Sequence, residues 1–315
     1  MGFLRSGGLE LATSESAAGE LHRRVEAARA AGLPAELLPT GRIPQSVASF
    51  VDTHQIVAVA RYAADGSADM SPLMTALRDR ITAGGARLIS SQEVTAVEQH
   101  GASVAVRTAS GDRFAADALV LAGGVWGPRL ARLTGVELPL FPVAHPYAYG
   151  APTRFGLPGP FVRWPEHHVY SRIHGDRLGI GSYDHRPVSV EQDELRDGAR
   201  LAWADDFAPV IEAAQRLLRP EARFTPVYRI NGVFAMSPDN LPFLGRHPDL
   251  PNVWIAQALW ITHAAGATQR LATALLNDTA LPDALSIDRF DGIDHATLRT
   301  RALRRYREIY ANDAT

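Results

Sequence analysis

The sequence predicts a mixed α/β and α+β protein built from two interleaved domains, and three observations carry that expectation. Twice an apolar run passes through small residues into a helical stretch, at "ADALVLAGGVWGPRL" (116–130) and at "NVWIAQALWITHAAGATQRLATALLN" (252–277). Between and around them lie alternating apolar and polar stretches punctuated by Gly, Asp and Pro. At 315 residues, with 46% hydrophobic and 21% charged residues, the chain can bury the cores of two such domains.

Each element follows in chain order. "GLELATS" alternates like a strand, and Ser14 or Ser16 can cap the helix "ESAAGELHRRVEAARAAG", whose Leu21, Val25 and Ala28 share a face and whose end is set by Gly32. Ser71-Pro72 reads as a cap with Pro at the first helical position, and Gly84-Gly85 stops that helix. Residues 86–124 read as four strands turned at "QHGA" and "ASGD", the last feeding the Gly123-Gly124 bend. "LPLFPVAHPYAYG", "GPFVRW" and the hairpin "HHVYSRIHGDRLGIGSY" are expected strands, and Glu191–Leu218 an interrupted helix. Short strands return in "RFTPVYRINGVFAMSPDNLPFLG" before the second bend. The expected domains are therefore β-rich over 1–58 and 140–235, and α/β over 59–139 and 236–295, with a C-terminal helix over 296–315. In that last helix Leu303, Tyr306 and Ile309 or Tyr310 form a stripe that docks while its arginines stay solvated.

Composition removes several chemistries. The chain has no cysteine, which excludes disulfides, thiolate nucleophiles and iron–sulfur clusters. A formal net charge of −2 argues against a nucleic-acid binder. The most apolar window is short and broken by Gln257 and His263, so no membrane span is expected, and a cytoplasmic location is. No G-x-S-x-G elbow is present, and His167, His168, His174 and His185 lack zinc-site spacing, so a hydrolase or metal site is not expected. Both bends pass from an apolar strand into a helix or tight turn. The second offers Thr262, His263, Ala264, Ala265 and Gly266 at a helix start, where free backbone N–H groups suit a phosphate, a ribityl chain or the electron-rich edge of a flavin. Close packing of strand on helix would use the same small residues.

Taken together and in order, "GGLELATSE", "EVTAVEQHG", "ADALVLAGGVWG", "LPLFPVAHPY", "HGDRLGIGSYDHRP", "INGVFAMSPDNLPFLG", "NVWIAQALWITHAAGATQRLATALL", "DRFD" and "REIY" resemble the D-amino-acid oxidase superfamily of FAD-dependent oxidoreductases. Within it the chain is most similar to the dimethylglycine oxidase, dimethylglycine dehydrogenase and sarcosine dehydrogenase group. The resemblance implies a Rossmann-like FAD-binding domain interleaved with a β-rich substrate domain. It implies FAD contacts at Val94, Gly123, Gly124 and Trp126, and at Trp260, Ile261, Thr262, His263 and Ala264. It further implies substrate-site roles for His145 and Tyr170 in hydride transfer from an N-methylglycine-like amine, giving an imine. Local charge adds Arg172 and Tyr183 as candidates for a substrate carboxylate.

The family's opening βαβ unit with G-x-G-x-x-G, its FAD-anchoring histidine and the group's folate-binding module have no counterpart in these residues. The expectation is thus an N-terminally truncated form with an exposed apolar sheet edge and impaired activity, releasing any methylene as formaldehyde or passing it on. The other class of function compatible with the sequence is a cofactor-free binding or assembly protein, or a subunit completed by a partner chain that supplies the βαβ unit.

Overall fold

The computed structural model describes residues 2–101, 103–153, 159–195, 198 and 201–310. Its largest sheet has nine strands, in the order Val188–Ser189, Phe141–Pro152, Arg177–Ser182, Val169–His174, Phe161–Trp164, Gly8–Ala12, Ala58–Tyr62 and Ala35–Leu38, with Tyr228–Met236 also pairing Phe141–Pro152. All pairings are antiparallel except Phe161–Trp164 against Gly8–Ala12. Period-2 alternation sorts the two faces of the central strands. Leu178 and Ile180 join Leu9, Leu11, Phe50, Val162, Trp164 and Ile211 in one core cluster, against which the helix Phe207–Ala214 packs. Each such aliphatic or aromatic side chain contributes about 1.5–3 kcal/mol by leaving water. The alternate positions, Gly179 and Gly181, face the other way and leave that side open for rings from the neighbouring strands.

A second sheet is smaller and partly parallel, in the order Phe243–Arg246, Val253–Gln257, Leu119–Leu121. A three-stranded meander, Val94–His100, Ser103–Thr108 and Arg113–Ala116, precedes it in the chain. Leu119–Leu121 is the edge of its sheet, and Val120 on it is exposed. Helix Met70–Ala83 buries none of its residues and shows Met70, Met74, Leu77 and Ile81 to solvent along one stripe.

The local signals place most elements. Ser14 accepts from the Ala17 N–H at 3.2 Å, helix Glu15–Ala30 buries Ala18, Leu21 and Val25, and Gly32 leaves it at φ +76°. Two expectations shift. The helix before Gly84 starts at Met70 because the Asp69 side chain accepts from the Ser71 N–H, which makes Asp69 the cap and puts Pro72 inside the first turn. Among its described residues the stretch 191–218 is helical only over Phe207–Ala214 and the 3-10 turn Gln215–Leu217. Leu195 and Phe207 both fill a cluster with Ala144 and Val190; residues 196–197 and 199–200 of that stretch lie outside the described ones. Helix His295–Arg307, capped by Asp294, buries Leu298, Ala302 and Tyr306 against Phe141, Val143 and Met236. Among the described residues no helix is long and apolar enough to cross a membrane.

Candidate functional site

The two glycine- and alanine-bearing bends leave the carboxyl ends of adjacent parallel strands. Val253 pairs Leu119 and Ile255 pairs Leu121, so the chains turn away side by side, which is where open α/β sheets bind ligands. The first bend runs through a 3-10 turn, Gly124–Trp126, into the short helix Gly127–Arg132. The second starts helix Ile261–Asn277 at Trp260. Gln257 ties them together: its Nε2 donates to the Leu121 carbonyl at 3.1 Å, and its Oε1 lies 2.6 Å from where a Cβ on Gly127 would sit. Gly124 holds φ +55°, a conformation that favours glycine, and neither it nor Gly266 has anything within 4 Å of a built Cβ. Ile261, Thr262 and Ala265 are exposed and Ala264 half-buried. A flat ligand can therefore approach the backbone of both bends.

The remaining cofactor candidates divide. The His263 ring accepts from the Trp260 N–H at 3.1 Å through Nε2, so it caps the helix and satisfies one of its first donors. Trp126 is partly buried and packs against the cluster of Ala144, Val190, Leu195 and Phe207. Val94 begins its strand beside Glu93, which pairs with Arg129 on the helix that follows the first bend.

His145 and Tyr170 meet across the glycine face of the large sheet. His145, Tyr147 and Tyr149 alternate along one strand and Tyr170, Arg172 and His174 along another, with Gly179 and Gly181 between them. The Tyr170 hydroxyl lies 2.8 Å from His145 Nε2. His145 is only 4% exposed, enclosed by Tyr170, Tyr183, His185, Phe234 and Tyr306, whereas Tyr170 keeps part of its surface accessible. Of the two side chains, Tyr170 is the less enclosed. Burial, and then the neighbouring His185, hold His145 well below its ordinary pKa of 6.5, so it is neutral at pH 7. Burial likewise pushes the Tyr170 phenol well above its ordinary value of 10.0, so it keeps its proton. Phe234 spans to the bends, its ring 4.9 Å from His145 and 5.1 Å from Trp260. Arg172 donates to His174 Nε2 at 3.2 Å, and the Tyr183 ring lies tilted 5.8 Å from that of Tyr170.

Two participants were not singled out by sequence reasoning. Tyr306, fully buried, places its hydroxyl 2.7 Å from His145 Nδ1 and 2.8 Å from His185 Nε2. The signal was its position in a docking stripe, since a buried phenol needs a hydrogen-bond partner. His185 was grouped with His167, His168 and His174, yet His167 bonds Thr13 and His174 bonds Tyr147, so these imidazoles do not converge.

Both the sequence and the fold have counterparts among known proteins. The model of the family described as FAD dependent oxidoreductase (DAO) matches residues 1–274. The mitochondrial sarcosine dehydrogenase of Mus musculus is 24% identical over 99% of this chain and 35% of its own length. The mitochondrial dimethylglycine dehydrogenase of Homo sapiens is 24% identical over 91% of this chain and 35% of its own. The chain thus spans about a third of the length of these curated relatives. The crystal structure of glycine oxidase from Geobacillus kaustophilus superposes with a TM-score of 0.76 at 23% identity, covering 93% of this chain and 77% of that one, and so shares its fold.

Proposed function

Because the chain belongs to the family of FAD-dependent oxidoreductases, we propose that it oxidises the carbon–nitrogen bond of a small secondary or tertiary amino acid, of the N-methylglycine type, to an imine. The observation that carries this reading is the adjacency of the paired bends to the Tyr170–His145 pair, with one phenylalanine ring between Trp260 and His145. The names of the two dehydrogenases, sarcosine and dimethylglycine, support the substrate class.

The residues present fit the flavin part of the cofactor. Gly124 and Gly266 leave room that a Cβ would begin to fill, and the Ile261 and Thr262 N–H groups start a 17-residue helix whose dipole favours an electron-rich edge. Gly123, Gly124 and the stretch from Trp260 to Ala264 would hold it. When bound, FAD supplies a hydride acceptor.

The chain's own groups do the rest. Loss of hydride from the carbon beside nitrogen needs the nitrogen lone pair free. The Tyr170 hydroxyl donates to the bare Nε2 of a neutral His145, which leaves the phenol oxygen able to accept an N–H of the substrate and hold the amine in place. The surrounding rings of Tyr147, Tyr183 and Phe234 exclude water from that contact. Arg172, on the same strand and face two residues beyond Tyr170, supports binding of a carboxylate.

The test is anaerobic. The purified chain is reconstituted with FAD and mixed with N-methylglycine, N,N-dimethylglycine, glycine and proline in turn, and bleaching of the flavin absorbance is followed. Bleaching by the N-methylated compounds, slowed in Tyr170→Phe and His145→Ala, is the expected result. A chain that holds FAD and is reduced by none of them contradicts the reading.

A further inference from the structure

The hydrogen bonds around Tyr306 have a direction that follows atom by atom. His185 Nδ1 lies 2.8 Å from the Arg186 carbonyl oxygen, and since a carbonyl only accepts, that nitrogen carries a proton. A neutral ring then has a bare Nε2, which accepts from the Tyr306 hydroxyl at 2.8 Å. That phenol has one hydrogen, so its 2.7 Å contact with His145 Nδ1 is donated by His145. His145 Nε2 is therefore bare and accepts from the Tyr170 hydroxyl at 2.8 Å. The alternative use of the Tyr306 hydrogen, toward the Ala144 carbonyl at 3.2 Å, is longer and would leave His185 Nε2 facing a lone pair. Four side chains thus donate in one sense, from Tyr170 to the Arg186 carbonyl.

We propose that Tyr306 and His185 complete a proton relay that carries the substrate's amine proton from Tyr170 through His145 to His185. This inference rests on the amine-oxidation reading above. The step balances. The ammonium N–H bond breaks and leaves its electron pair on nitrogen, while the Tyr170 oxygen takes that proton and passes its own to His145 Nε2. His145 passes its Nδ1 proton to the Tyr306 oxygen, and Tyr306 passes its own to His185 Nε2. Tyr170, His145 and Tyr306 end neutral, and the positive charge moves from the amine to His185. Burial holds the His185 pKa below its ordinary value, and the Arg186 carbonyl, Asp206 and Asp184 act against that shift and so temper the cost of its cation; Arg186 faces Asp206 at 3.9 Å, and the Phe207 ring closes one side. Tyr306 and His185 do not touch the substrate; they position and discharge His145.

The experiment has two arms. In the substrate-free chain labelled with nitrogen-15 in its histidines, NMR is expected to show both His145 and His185 protonated on Nδ1 and bare on Nε2. An Nε2-protonated form of either ring overturns the direction and the relay with it. In the FAD-reconstituted chain, His185→Gln keeps an acceptor near Nε2 but cannot hold the proton. The His145 tautomer should stay as in the wild type, while flavin reduction by N-methylglycine slows about tenfold or more, with KM little changed. Tyr306→Phe should slow it as much and also release the His145 tautomer. Wild-type rates in His185→Gln overturn the relay and leave the functional reading standing. A wild-type chain that holds FAD but oxidises no amine sinks both, and the tautomers still decide the direction of the bonds.

Discussion

Gly181 lies beneath Tyr170: a Cβ at this glycine would come within 2.5 Å of the phenol ring and 2.6 Å of the Tyr147 ring. It pairs with both tyrosines in register across its two neighbouring strands. Neither ring can yield freely, because Tyr147 bonds His174 and Tyr170 bonds His145. Gly181→Ala should therefore destabilise the fold by about 1–3 kcal/mol through overpacking. It should also lower amine-dependent flavin reduction about tenfold or more, by moving the Tyr170 hydroxyl off His145. Urea unfolding reads the first effect and stopped-flow reduction the second; wild-type values in both would mean that the sheet absorbs the methyl group elsewhere.

Buried neutral imidazoles make stability depend on pH. Burial holds His145 well below 6.5 and pushes His174 down to about 4. Below about pH 6.5 the unfolded chain binds protons at these rings and the native chain does not, so stability present at neutral pH falls as the pH drops. The window runs from about pH 6.5 down toward pH 4, the value for His174. The urea midpoint should decline between pH 7 and pH 5, with a limiting slope of about 1.4 kcal/mol per pH unit for a fully separated site such as His145. The slope should flatten in His145→Gln whatever that variant's absolute stability. A midpoint constant over this range would show that the rings charge without unfolding the protein.

Much of this arrangement was legible in the sequence, for identifiable physical reasons. The bends could be found because small residues at the end of an apolar run mark close backbone approach whatever the tertiary context. The hairpin at Gly175 was equally plain, since its flanking strands alternate and the glycine takes φ +60°. The pairing of His145 with Tyr170 was reachable only through family resemblance, because nothing local says that strands two positions apart in sequence order will meet across two glycines. In the sequence Tyr306 reads as packing, which it is. Its hydroxyl gains meaning only once helix His295–Arg307 docks on Phe141 and Val143, a long-range contact that carries no sequence signature. The helix start at Met70 depended on which of two neighbouring side chains, Asp69 or Ser71, reached an N–H first, and the carboxylate did.

Gly266 separates stability from cofactor binding. It sits in the second turn of helix Ile261–Asn277 with nothing within 4 Å of a built Cβ. Gly266→Ala should stabilise the cofactor-free chain by roughly 0.5–1 kcal/mol, since alanine loses less backbone entropy in a helix. If the open face beside Gly124 receives the flavin, Gly266→Leu should weaken FAD affinity severalfold while the cofactor-free chain stays as stable as the wild type. Fluorescence titration with FAD and thermal melts without it measure the two sides. Equal FAD affinity in wild type and Gly266→Leu would remove this helix start from the cofactor site.

Gln257 is the joint between the two bends, and it is buried at 1% exposure. Its Nε2 satisfies the Leu121 carbonyl, the last of the neighbouring strand, and its bulk faces Gly127 at the start of the next helix. Gln257→Leu keeps the volume but leaves the Leu121 carbonyl without its donor, a loss of about 1–3 kcal/mol. The effect on the site should exceed the effect on the fold. Gly123 and Gly124 are held relative to Trp260 mainly through this amide and the three ladder pairs before it, so loosening it lets the bends separate without unfolding either sheet. We expect urea stability to fall within that range and FAD affinity to fall further, by about tenfold. Gly127→Ala, which would push on the same amide from the other side, should reproduce the loss of affinity. Lowered stability with unchanged FAD affinity in both variants would mean that the bends are held in register by other contacts, and that their adjacency does not depend on this side chain.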